Sequence, residues 1–152
     1  MESVTAGTAS DGPMLFANGN YVLAKRHRDL VFTSGMTPRE EGRLIHTGTF
    51  TKDLRPEDSK EAVELAVSNA LAAARRAIGA DERVGSILTM TVFVSSTGDF
   101  NQHSRVADHA SNWLARELGP DGIGTRAAVG VSSLPGGALI EIQMTAIIVP
   151  DV

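Results

Sequence analysis

A nearly unbroken apolar and β-branched run at 84–96, with Ile87, Leu88, Met90, Val92, Phe93 and Val94, lies between two segments whose apolar residues recur at helical spacing. In the first, 57–78, Val63, Val67, Ala70, Leu71, Ala74 and Ile78 share one face, while Glu61, Glu64, Arg75 and Arg76 occupy the rest. In the second, 100–118, the stripe is Val106, Ala110, Trp113, Leu114 and Leu118. A run this apolar reads as a strand covered on both faces and placed centrally in its sheet. A strand, a helix and a further strand in succession favour parallel neighbours joined by a right-handed crossover.

The flanks fill in the rest of the sheet. Segments 21–25 and 30–36, rich in Val, Tyr and Phe, read as a hairpin around the charged cluster Arg26-His27-Arg28-Asp29. Residues 38–42 form a polar turn, 44–50 a weaker strand, and 125–131 and 138–149 the closing strands. Pro56, Glu57 and Asp58 suit the start of the first helix, Arg75 and Arg76 its end, and Gly79 a left-handed cap. Gly119-Pro120 stops the second helix. Ala66, Ala70, Ala73 and Ala77 let the first helix approach a sheet closely. The expected fold is α+β, a single mixed sheet with two helices on one face. Two helices cannot cover both faces, and a second copy of the chain is the simplest cover for the other.

At 152 residues the chain is read as one domain over 14–152, preceded by a flexible tail over 1–13 that has neither the basic nor the apolar part of a secretory signal. Cysteine is absent, which removes disulfides, thiolate zinc sites and thiol nucleophiles and fits a cytoplasmic location. No uncharged apolar run approaches the roughly 18 residues of a membrane helix, so no membrane partner is expected. A formal net charge of -4 lacks the basic footprint of a nucleic-acid binder. His27, His46, His103 and His109 have no metal-ligand spacing and read as solvated surface residues, so no metal or cofactor is expected.

Two charges stand where charges are rare. Arg126 opens the run Ala127-Ala128-Val129-Gly130-Val131, and Glu141 sits within Ala138-Leu139-Ile140 and Ile142. Partly buried charges need a partner or a task. The planar fork of Arg126 matches a carboxylate bidentately, so its partner is either a ligand or a protein acid. A carboxyl on an apolar strand acquires a raised pKa and can hold or relay a proton; Glu141 could equally form a structural ion pair. Tyr21, Ser34 and Gly35 can line a pocket or simply end strands. Asn69, in mid-helix, suits tying down a loop.

The string Arg126-Ala-Ala-Val-Gly-Val-Ser-Ser-Leu134-Pro135-Gly-Gly-Ala-Leu-Ile-Glu141-Ile resembles the C-terminal signature of the Rid (YjgF-type) reactive-intermediate deaminases. Tyr21-Val22, Leu30-Val-Phe-Thr33 and Ser34-Gly35 resemble that family's first hairpin, and Asn69 and Asp99-Phe100 also match. The resemblance covers about 18–149. It implies a chorismate-mutase-like fold assembled as a homotrimer, with pockets between subunits and no cofactor.

It also implies site roles. Arg126 holds a substrate carboxylate, Glu141 positions the hydrolytic water with help from the carbonyl of Ala128, and Tyr21, Ser34 and Gly35 complete the cleft from a neighbouring subunit. Many members carry Cys where this chain has Ala128; the carbonyl survives that exchange, whereas any role of the thiol does not. The implied activity is hydrolysis of small enamines and imines, exemplified by 2-aminoacrylate, to 2-keto acids and ammonia. A trimeric module that binds small carboxylates without turnover, or an enzyme acting on another carboxylate intermediate, remains open, motivated by segment 14–18 and the basic stretch 25–28.

Overall fold

The computed structural model describes residues 12–152. Of the tail expected over 1–13, all but Gly12 and Pro13 lies outside the described residues. Among the described residues seven strands and two α-helices follow in order: β1 (Ala24–His27), β2 (Leu30–Thr33), β3 (Arg39–Glu40), β4 (Arg43–Leu44), α1 (Lys60–Arg75), β5 (Glu82–Ser95), α2 (His103–Leu118), β6 (Thr125–Val131) and β7 (Ile140–Pro150). Five strands form one mixed sheet in the order β1-β2-β7-β5-β6, and β3 and β4 make a separate hairpin. Only β5 and β6 run parallel, joined through α2, as the strand–helix–strand order requires.

The core lies between the two helices and one face of the sheet. Val63, Val67, Ala70, Leu71 and Ala74 of α1 and Val106, Ala110 and Leu114 of α2 are buried against Val31, Val84, Met90, Val92, Ile140, Ile142 and Ala146. Strict alternation along β7 buries the even-numbered residues from Ile140 to Ile148 and leaves Glu141, Gln143, Thr145 and Ile147 on the opposite face. That face has no layer over it among the described residues, and Phe32, Leu88 and Val129 remain substantially exposed.

Several local expectations change. β7, not β5, is the middle strand, because the closing strand inserts between β2 and β5. β5 is covered on one face only; Leu88 is 46% exposed. The strand expected over 44–50 shrinks to β4, since Glu41 and Gly42 both adopt positive φ and turn the chain tightly back on β3. Its remainder touches the sheet through single bridges at Thr47 and Phe50. The first helix begins with a 3-10 turn, Pro56–Ser59, in which Ser59 Oγ donates to the Pro56 carbonyl at 2.6 Å. Gly79 does not cap α1 in a left-handed conformation; the helix ends at Arg75, and the Gly79 N–H instead donates to Glu82 at 2.9 Å. Gly119 does end α2, at φ 72°.

Candidate functional site

Register places Arg126 opposite Met90, which is buried beneath the helices, so the Arg126 side chain leaves the sheet on the helical side at its outer edge. There α2 holds it. Nη1 donates to Asp108 at 2.9 Å and to Ser111 Oγ at 3.0 Å, while Nη2 donates to the Ser104 carbonyl at 3.2 Å and to Ser104 Oγ at 2.8 Å. Ser104, Asp108 and Ser111 stand at i, i+4 and i+7, one polar row of the helix. A guanidinium has five N–H donors, and these bonds engage four. Within the chain, Arg126 therefore has a protein acid as its partner. Ala128, half-buried two residues on, shares its face.

Glu141 lies on the other face. It pairs with Phe93 in β5 and flanks Gly35, because Met36 and Ile142 exchange two backbone hydrogen bonds of 2.7 and 2.9 Å. A Cβ on Gly35 would come within 2.6 Å of the Glu141 carboxyl carbon, so any larger residue there would displace the carboxyl from this position. Glu141 forms neither an ion pair nor a side-chain hydrogen bond among the described residues. Desolvation pushes its carboxyl above the ordinary carboxylate range. An uncompensated, half-buried acid of this kind suits proton transfer better than ion pairing.

Ser34 and Tyr21 have partners already. Ser34 Oγ donates to the Val22 carbonyl at 2.6 Å, which commits its proton to the β1–β2 end. The Tyr21 hydroxyl accepts from the Asn18 N–H at 3.1 Å, leaving its own proton free. Tyr21 and Gly35 line a cavity with Arg39 and Asn69 on the helical side of the sheet.

The single chain thus assembles two groups rather than one site. Arg126 and Ala128 belong to the edge near α2; Glu141, Gly35 and Ser34 cluster around β2 and β7. With β5 between their strands, the two charged residues stand about 10 Å apart across the sheet and roughly 10 Å along it, on opposite faces. No pyruvate-sized molecule reaches both within one chain.

Two features escaped the sequence reading. The Ser104-Asp108-Ser111 row was visible as a polar stripe, but nothing in the sequence aligned it with Arg126. By sequence, Arg39 is only one residue of a polar turn. Two histidines also differ from expectation: His103 is half-buried, edge-on to Phe100 with ring centres 5.1 Å apart, and His109 lies 3.0 Å from the Pro56 carbonyl. Asn69 does tie down a loop, donating to the carbonyls of Thr37 and Arg39 at 3.1 and 2.8 Å. Among the described residues no cluster of His, Asp and Glu could hold a metal, and no helix is long and apolar enough to cross a membrane.

Comparison with known proteins bears on this arrangement. The family described as endoribonuclease L-PSP matches residues 13–148. The Agrobacterium tumefaciens protein Atu1372, of unknown function, is 33% identical, with a TM-score of 0.76 over 86% of this chain and 82% of that one. TdcF of E. coli, crystallised with bound serine, is 26% identical, with a TM-score of 0.64 over 90% of this chain and 92% of that one. The E. coli YjgF gene product is 25% identical, with a TM-score of 0.64 over 86% and 90%.

Proposed function

Since the chain belongs to the endoribonuclease L-PSP family, the Rid (YjgF-type) proteins, we propose that it hydrolyses small 2-imino acids to 2-keto acids and ammonia in a cleft between subunits of a homotrimer. The observation that carries this reading is Glu141: a half-buried carboxyl with raised proton affinity and no protein partner among the described residues, in space left by the missing side chain of Gly35. The serine bound to TdcF supports a small amino- or carboxylate-bearing ligand.

Because Arg126 and Glu141 face opposite sides, the site draws them from different copies. Arg126 stands at the free edge of the sheet, where a neighbouring subunit can bring its own bare face and Glu141 alongside. A substrate carboxylate takes the place of Asp108 on the guanidinium, exchanging one charge-assisted pair for another. Glu141 holds water against the imine carbon, aided by the Ala128 carbonyl. The water oxygen bonds to that carbon as one of its protons passes through Glu141 to nitrogen; the remaining hydroxyl proton then follows the same route as the C–N bond breaks, leaving the keto C=O and ammonia. Positioning and proton transfer, each worth about 100-fold or more, suffice for so electrophilic a substrate.

Binding without turnover is a second reading, favoured by the tight hold of α2 on Arg126. The test supplies purified protein with 2-aminoacrylate generated in situ by a pyridoxal-phosphate lyase and follows keto acid formation against semicarbazide trapping. Hydrolysis lost in both Arg126→Ala and Glu141→Gln, with the assembly intact, supports deamination. Binding of pyruvate without turnover supports the second reading.

A further inference from the structure

Arg39 presents a charge that the fold half-buries without supplying an acid. Asn69 fixes its backbone carbonyl, and Nη1 donates to the Gly42 carbonyl at 3.2 Å. Among the described residues its fully buried Nε has no hydrogen-bond partner and no ion pair includes it. Burial of an unmatched charged donor is costly, and a site that tolerates one commonly reserves it for a ligand.

Arg39 lines the cavity already noted beside Tyr21, Gly35 and Asn69. About 20 Å³ of this space admits water, room for about one molecule. Segment 13–18 runs along its mouth. Arg76 donates to the carbonyls of Pro13 and Leu15, and the Phe16 ring lies against Gly42. Met14 and Phe16 are nevertheless more than half exposed, so Leu15, packed against the core, is the apolar anchor of the segment.

We propose that this cavity is a binding site for a small aliphatic monocarboxylate, entered when segment 13–18 lifts. Arg39 Nε–H and the uncommitted Tyr21 O–H are its two donors, and Leu15, Leu23 and Met36 provide an apolar wall. Two donors and one positive charge suit a two-oxygen head on a short hydrocarbon body; a phosphate dianion requires more of both. The site shares the Gly35 backbone with the Glu141 side but does not include the Glu141 carboxyl. It shares Tyr21 and Gly35 with the residues that the family resemblance places in the deaminase cleft, whereas Arg39 and Asn69 line this cavity and are not among those residues.

The test is a titration of ¹⁵N-labelled protein with propionate, with 1-propanol as the neutral control. Propionate, and not propanol, should move the backbone amide of Gly42 and the side-chain amide of Asn69, which lie away from the Glu141 carboxyl. Arg39→Gln should weaken this binding, as read at Gly42 and Asn69, about tenfold or more. Arg39→Gln should also keep or raise Tm, since it removes the unmatched charge, so that lost binding is not lost folding. Arg39→Lys retains the charge without the Nε donor and should bind more weakly than wild type. Unmoved signals in wild type, or wild-type affinity in both Arg39 variants, would overturn the proposal. Imine hydrolysis is read in a separate assay, so the two readings fail separately.

Discussion

Arg126 and Glu141 leave opposite faces of one sheet, with β5 between the strands that carry them. A ligand that uses both must be shared between chains, and this constrains every expectation about the candidate site.

Asp108 occupies the guanidinium that the proposed substrate needs. Asp108→Asn should lower KM for a 2-imino acid by freeing Nη1, while changing stability by less than about 1 kcal/mol, because the carboxylate is largely exposed. Steady-state kinetics and chemical denaturation check both; a raised KM would make Asp108 a positioning residue instead.

Gly35→Ala drives a methyl group to within 2.6–2.9 Å of the Glu141 side chain. The carboxyl must move by about 1 Å, a displacement that can cost about 100-fold in rate. A variant that folds yet loses kcat/KM by that order is expected, and wild-type kinetics would remove Glu141 from the mechanism.

Glu141 also predicts a pH effect on stability. Its carboxyl binds protons more tightly folded than unfolded, so its contribution is most favourable at low pH and is lost as pH rises from the unfolded value, near 4.5, through the higher folded one. Glu141→Gln should therefore raise Tm relative to wild type at pH 7 and narrow that advantage at pH 4. Thermal scans at the two values decide it; an advantage that is larger at pH 4 contradicts the assigned shift.

Asn69→Ala removes two hydrogen bonds at a position only 1% exposed and leaves the carbonyls of Thr37 and Arg39 without this donor. A loss of about 2 to 3 kcal/mol is expected from urea unfolding. A change below 0.5 kcal/mol, the scale of an inert surface substitution, would mean water replaces the amide.

Much of the fold was legible because its elements carry strong periodic signals: the stripe from Val63 to Ala74, the stop at Gly119, the apolar run ending at Val94. Arg126 and Glu141 stood out for the same reason, as charges interrupting a pattern. Pairing order was not legible. Whether β7 lies beside β5 or β6 is decided by long-range packing, and that choice puts a whole strand between Arg126 and Glu141. The partners of Arg126 come from α2, 15–22 residues earlier in the chain, and only the register of β6 against β5 brings Ser104, Asp108 and Ser111 to it. Arg39 was obscured because a charged residue in a turn ordinarily meets solvent; here Asn69 and segment 13–18 enclose it.

The most direct measurement mixes the two inactive variants. Arg126→Ala and Glu141→Gln are co-refolded so that hybrid assemblies form, and hydrolysis of 2-aminoacrylate is followed. A cleft that takes its arginine from one copy and its glutamate from the next recovers roughly a quarter of the wild-type rate through random assembly around a ring. Hybrids that form, verified by native mass spectrometry, yet stay as inactive as either variant alone would contradict a shared site.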